Sequence, residues 1–320
     1  MAAETNTFRT VEAIGNREDL ADAIYDISPE ETPGLSNSGR STATNPVAFD
    51  WQTDALDDVD TANFRAEGNQ AVVAAITPTV RLVNSCQISD KVFAVSRSQE
   101  KAKSAGRKSE AARALTRKMA ALKRDMEAIL FGLNQARQSS EPRKTASLLS
   151  WITTNTSIGT GAAADPTGDG TDTRTDGTQR AFLESHLQTV LESMWNEGGK
   201  VDGSLALMGS FNKRQASAFT GIAEIRKAAE GAKRATIIGA ADEYVGDFGN
   251  VTFVPSHFTR TRDVLILDPD MVDVAYFDTF NVSDLAKIGD TAARKLITVE
   301  YGLRVRNEKG LGAIYDLTTS

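Results

Sequence analysis

Residues 109–136 read SEAARALTRKMAALKRDMEAILFGLNQA. Ala112, Leu115, Met119, Leu122, Met126, Ile129 and Leu133 recur at spacings of three and four, which places them on one face of a helix. The spacing predicts a helix over Ser109–Ala136, roughly 40 Å long at ~1.5 Å per residue. Gly106 precedes it, and Ser139, Ser140 and Pro142 are expected to close it. Arg113, Arg117, Lys118 and Arg124 lie largely off the stripe. The stripe fits a coiled-coil seam, and it fits a long helix laid on a sheet equally well.

Charge is sorted in blocks around this helix. Arg97–Arg124 carries ten bases against Glu100 and Glu110. Met1–Glu31 carries eight acids and two bases, and Asp50–Glu67 six acids and one base. Upstream, a short helix is expected over Arg17–Tyr25, ended by Pro29 and Pro33. Leu35–Asn45, rich in Ser, Thr, Asn and Gly, reads as an extended arm. Val47, Phe49 and Trp51 alternate with polar neighbours, as on a strand with one apolar face. Asp54–Asp60 reads as an acidic tip, and Gln70 to about Ile88 as a returning strand. The result is a long hairpin with little to bury, which must lean on something else because an isolated hairpin is marginal in water.

Downstream the pattern becomes mixed α/β. Gly159–Thr178 holds only Gly, Ala, Thr, Asp, Pro and Arg and is expected to be a mobile loop. A helix over Gln179–Asn196, capped by Thr178, ends at Gly198 and Gly199. A strand follows at Leu205–Met208, then a helix capped by Ser210 and ending near Gly221. Further strands are expected at Val251–Val254, Val264–Leu267, Val272–Phe277, Leu296–Val305 and Ala313–Leu317, with turns at Asp247–Asn250 and Asp268–Asp270.

The chain offers little for catalysis. Its 320 residues include one cysteine, Cys86, and two histidines, His186 and His257, at a net charge of −7. Cys86 sits in an apolar stretch and reads as a buried inert thiol. Neither histidine has a second at metal-ligand spacing, and no phosphate loop, dinucleotide fingerprint or nucleophile elbow is present. Asp172, Arg174 and Asp176 before Gly177 mimic a calcium loop, but the middle position is a cation. Asp57-Asp58 and Glu30-Glu31 lack the burial an acid–base pair needs. No catalytic residue, cofactor or metal is expected. No apolar run approaches the ~20 residues of a membrane helix, and Met1–Thr10 does not read as a signal peptide, so cytoplasmic synthesis is expected. The basic helix can meet acidic protein segments, stay solvated, or contact nucleic acid by counterion release. The absence of aromatics between Val95 and Leu130 weakens base stacking.

The order of elements (acidic arm, strand–tip–strand excursion, long helix, α/β unit) resembles the Hong Kong 97-type major capsid proteins of tailed bacteriophages. Local sequence resembles one family of phage head proteins: Arg17-Glu18-Asp19-Leu20 with Ile24, Ser28 to Pro33, Trp51 to Asp54 and Ala66 to Gly68. Arg81 with Asn84, Val95-Ser96, Leu122 to Glu127 and Asp247 to Gly249 also match. So do Leu285 to Lys287 with Gly289-Asp290, and Glu300-Tyr301 with Asn307-Glu308. The resemblance covers nearly all of the chain outside Gly159–Thr178.

It implies an α+β fold with an N-terminal arm (1–45), an E-loop hairpin with P-domain strands (46–90) and a P-domain with its spine helix (91–145). An A-domain (146–270), return strands to the P-domain (271–307) and an A-domain strand (308–320) complete it. It also implies a non-enzymatic subunit that forms hexamers and pentamers of an icosahedral head, assembled in host cytoplasm around double-stranded DNA and found in the virion. The DNA would be contacted non-specifically, with a portal and a separate scaffolding protein as further partners. Inter-subunit contacts are expected at Trp51, Asp54, Asp57, Asp58 and Glu67 on the hairpin, and at Arg113, Arg117, Lys118 and Arg124 on the helix. Some relatives lock the shell through an E-loop lysine; here the first lysine is Lys91, which implies a non-covalent shell. A cellular nanocompartment shell and a DNA-binding coiled-coil protein are the competing readings.

Overall fold

A computed structural model describes residues 31–57, 59–70, 73, 75–102, 109–219 and 242–319. The expected helix over Arg17–Tyr25 lies outside the described residues. In chain order the elements are α1 (Pro33–Asn37), β1 (Gly39–Thr42), β2 (Phe49–Thr53), β3 (Val80–Asn84), β4 (Gln87–Ser96), α2 (Arg97–Lys101) and α3 (Glu110–Glu127). A π turn (Ala128–Gly132) ends the spine helix, and a 3-10 turn (Leu148–Ser150) follows. Then come β5 (Thr156–Ser157), α4 (Glu184–Asn196), β6 (Ser204–Met208), α5 (Ser210–Ala216), β7 (Glu243–Gly246), β8 (Gly249–Pro255) and β9 (Val264–Leu267). The last strands are β10 (Val272–Asp284), β11 (Thr291–Val305) and β12 (Gly312–Ile314).

Two sheets build the body. A four-stranded sheet runs β1-β10-β11-β4, and a six-stranded sheet runs β5-β12-β9-β6-β8-β7. In β11 the alternating residues Ile297, Val299, Tyr301, Leu303 and Val305 are buried. Period-2 alternation puts them on one face, and the helix stripe packs against that face. Leu122, Met126 and Leu130 join Phe93, Val95 and the β11 residues in one core. The stripe therefore serves a helix on a sheet within one chain. A second core lies between α4 and the six-stranded sheet, with Leu187, Val190, Leu191 and Met194 against Val251, Val264 and Ile314.

The spine helix ends earlier than its periodicity implies. Ser109 caps it, its Oγ accepting from Ala112 N at 3.2 Å, but helical structure stops at Gly132 and Leu133 is extended. At that end the chain crosses itself closely: a Cβ on Gly132 would stand 2.0 Å from the Phe258 carbonyl oxygen. Gly132→Ala should therefore cost about 1–3 kcal/mol through overpacking. Denaturant titration of the purified chain checks it, and an unchanged midpoint would refute the crossing.

Other expectations need correction. Pro33 starts a short helix of its own, at a position where its fixed φ suits the first turn; the upstream helix it was expected to close lies outside the described residues. The arm residues Leu35–Asn45 are not simply extended: after α1, β1 pairs in parallel with β10 from Gly39↔Asp273 to Thr42↔Tyr276. Helix α4 begins at Glu184 and not at Gln179, because the Arg180 backbone pairs with the chain end. Arg180 N donates to Asp316 O at 2.8 Å, and Thr318 N donates to Arg180 O at 2.9 Å. Gly209, not Ser210, precedes α5, which stops at Ala216.

The largest correction concerns Gly159–Thr178. Arg174 is buried there, and its Nη2 donates to the buried carboxylate of Asp316 at 3.0 Å. Asp316 also accepts from Gly159 N at 3.0 Å, Gly177 N at 2.8 Å and Arg262 Nη2 at 2.7 Å. Asp176 bonds Arg174, and it accepts from Arg260 Nη2 at 2.6 Å. The Arg174 guanidinium lies 4.0 Å from the centre of the buried Tyr315 ring. Charge pairing, not apolar area, anchors this segment.

Candidate assembly surfaces

The hairpin is the element that leaves the body. Strands β2 and β3 pair from Phe49↔Asn84 to Thr53↔Val80. Its base leans on its own chain: the Trp51 ring lies 5.9 Å from Phe49 and 5.3 Å from Trp151, which is fully buried. Asn84 fixes the return, donating to Leu303 O at 2.6 Å and accepting from Ala146 N at 3.0 Å. Beyond Thr53 the described residues form no regular strand until Val80. Along that excursion Leu56, Val59, Phe64, Val73 and Ile76 are 83–98% exposed.

Sequence reasoning singled out the acids here and passed over Leu56, Val59 and Phe64, which interleave with them, while it read Val73 and Ile76 as part of the returning strand. Asp54, Asp57 and Glu67 are exposed on the same excursion, and Asp58 lies outside the described residues. Among the described residues no cation pairs with Asp54, Asp57 or Glu67.

The basic residues divide. Arg117 and Lys118 face solvent on α3. Arg113 lies 3.9 Å from Glu110 one turn away. Arg124 sits 5.5 Å over the Phe258 ring, so part of its surface serves the fold.

Glu127 is a further residue that the sequence reading passed over. It shares a helix face with Leu130 and Phe131 and is fully buried. Its Oε1 accepts from Gly34 N at 2.7 Å and its Oε2 from Leu35 N at 2.8 Å. Burial pushes its pKa up, against the pull of those two bonds. No local signal marked it: at 100° per residue it falls off the apolar stripe, beside Lys123 and Arg124.

Cys86 is buried, and burial pushes its thiol up to about 12, which keeps it protonated and inert. No group of three or more metal-ligating side chains occurs among the described residues. No helix among them is long and apolar enough to cross a membrane.

The model of the SU10 major capsid protein family matches residues 3–318. The chain belongs to this family. A curated major capsid protein, that of Escherichia phage Phieco32, is 36% identical over 135 residues, a match spanning 42% of this chain and 38% of that protein's length. Among solved structures, the cyanophage A-1(L) capsid asymmetric unit superposes with a TM-score of 0.64 at 12% identity, over 98% of this chain and 99% of that one. The capsid of cyanophage P-SCSP1u gives 0.62 at 10% identity over 99% and 97%. The native GTA particle capsid gives 0.60 at 12% over 97% and 98%. At such identities the likeness shows the fold, which is the α+β, Hong Kong 97-type fold of phage capsid subunits. As a member of the SU10 major capsid protein family, the chain is a structural capsid protein.

Proposed function

We propose that copies of this chain close into hexamers and pentamers of an icosahedral head that holds double-stranded DNA. The observation that carries this reading is the hairpin excursion. Five large apolar side chains, Leu56, Val59, Phe64, Val73 and Ile76, stand almost fully exposed on a segment with no core of its own. An apolar surface of this kind marks an interaction site. A neighbouring copy supplies the burial that one chain lacks, and many such contacts spread over a large area hold a shell together.

In this reading Trp51, Asp54, Asp57, Asp58 and Glu67 of one copy approach Arg113, Arg117, Lys118 and Arg124 of the next. Residues 1–45 act as an arm and 46–90 as E-loop hairpin and P-domain strands. Residues 91–145 and 271–307 complete the P-domain, and 146–270 with 308–320 form the A-domain. The chain has no catalytic role. It assembles in host cytoplasm with a portal and a separate scaffolding protein, touches packaged DNA without sequence preference, and resides in the virion.

Electron microscopy of the purified chain tests the reading. Closed particles, or free hexamers and pentamers, are expected, and a stable monomer at high concentration would sink it. Nucleic acid extracted from native particles is expected to be DNA; a protein cargo instead would favour a nanocompartment. Because the first lysine is Lys91, denaturing electrophoresis of assembled particles should give a single monomer band, and a ladder of cross-linked species would contradict a non-covalent shell.

A further inference from the structure

We propose that Glu127 is the positioning residue that fixes where the N-terminal arm leaves the body, by clasping the Gly34 and Leu35 amides to the spine helix. The inference rests on the assembly reading only for its consequence; the clasp itself stands on geometry. Both carboxylate oxygens are used, at 2.7 and 2.8 Å. The side chain is fully buried, and no cation pairs with it among the described residues. A buried carboxylate without such compensation is strongly disfavoured. The two amides are therefore what makes this position tolerable, and the arm supplies them.

The arm side is shaped to match. A Cβ on Gly34 would meet Phe131 Cδ2 at 2.5 Å and Glu127 Oε1 at 2.8 Å. Only glycine lets the backbone come this close. Beyond the clasp, the arm is held to the body mainly by β1, a short strand at the edge of its sheet. The arm base also forms one wall of a groove of about 600 Å³, opposite Lys123 and Met126 of α3 and Tyr276 and Phe280 of β10. Opening the clasp would free α1 and β1 and dismantle that groove. The other three strands, β10, β11 and β4, would stay paired. A residue that merely fills the core would act differently, weakening the whole body together.

Hydrogen–deuterium exchange on the full-length chain separates the two. In Glu127→Ala, exchange over residues 34–43 should quicken tenfold or more while residues 297–305 keep wild-type protection. Glu127→Gln retains one acceptor and should fall between the two. Gly34→Ala, which attacks the clasp from the arm, should reproduce the local loss. Unchanged protection of 34–43 in Glu127→Ala would overturn the proposal, and so would equal loss at 34–43 and 297–305 in all three variants. Particle formation is scored separately. Wild-type chain that makes no particles would count against the assembly reading and leave the clasp intact. Variants with a sound body and a loosened arm should form fewer closed particles than wild type.

Discussion

Replacing Asp316 with alanine should cost about 3–5 kcal/mol, the usual penalty for removing one partner of a buried ion pair. Asp316 is fully buried. It gathers four donors, from Gly159, Gly177, Arg174 and Arg262, and thereby ties residues 159–178 to the end of the last strand. Its alanine variant would take one of the two carboxylate partners from the buried Arg174 guanidinium, leaving Asp176 alone, and leave two backbone amides without acceptors. Asp316→Asn should cost less. It keeps the side-chain shape and suits the positive φ of 60° at this position, and gives up the charge. Thermal or denaturant unfolding measures both; a loss below ~1 kcal/mol for the alanine variant would show that the network is decorative.

The same knot has a defined pH behaviour, because its two buried acids, Asp316 and Asp263 (3.2 Å from Arg260), respond in opposite directions. Burial disfavours the Asp316 charge, but hydrogen bonds from Gly159, Gly177 and Arg174 outweigh it and hold the carboxyl below its ordinary 3.8. Its contribution is present above that value and is lost as pH falls through the lower folded one. For Asp263 burial wins over Arg260 and Arg174, and the carboxyl rises to about 6. The folded chain therefore binds that proton more tightly than the unfolded chain does. Asp263's contribution is full below 3.8 and is lost as pH climbs through about 6. Asp263→Asn should flatten the pH dependence of stability across that window, as read by unfolding midpoints at pH 4 to 7. A dependence unchanged by the substitution would mean that another group titrates.

The parts of the fold that could be read in the sequence are those where one physical signal dominates. The α3 stripe and the alternation in β11 each reflect a single buried face. Val264 to Leu267 is apolar throughout because β9 is buried on both sides. Strand β4 escaped notice for a specific reason. Its inward positions begin polar, at Gln87, Ser89 and Lys91, before turning apolar at Phe93 and Val95. The polar ones are satisfied at a distance: Ser89 bonds the Tyr301 hydroxyl at 3.2 Å, Gln87 the Gln135 amide at 3.1 Å, and Lys91 pairs with Asp125 at 2.5 Å. None of those partners is visible in a local window. The segment 159–178 failed in the same way, since Arg174 finds Asp316 142 residues later. At the candidate site the acids stood out by charge. Leu56, Val59 and Phe64 did not, because isolated apolar residues in a polar stretch have no period to betray them.

Those three side chains carry the second large effect. The combined substitution Leu56→Ser, Val59→Ser and Phe64→Ser should leave the isolated subunit as stable as wild type to within ~0.5 kcal/mol, the range for surface changes. The side chains are 98%, 91% and 83% exposed and belong to none of the cores formed by the described residues. Assembly should respond differently. Burying one large apolar side chain is worth about 1.5–3 kcal/mol. Even the lower figure summed over three, about 4.5 kcal/mol, corresponds to a more than thousandfold rise in the concentration needed for association. Every subunit repeats the loss, so closed particles should vanish at concentrations where wild type assembles completely. Analytical sedimentation with parallel unfolding curves reads both quantities on one sample. Normal assembly of the triple variant would remove the hairpin excursion as the carrier of the shell contacts. A variant with a lowered unfolding midpoint would mean that the excursion packs on its own body, and that the subunit is more self-sufficient than its exposed side chains imply.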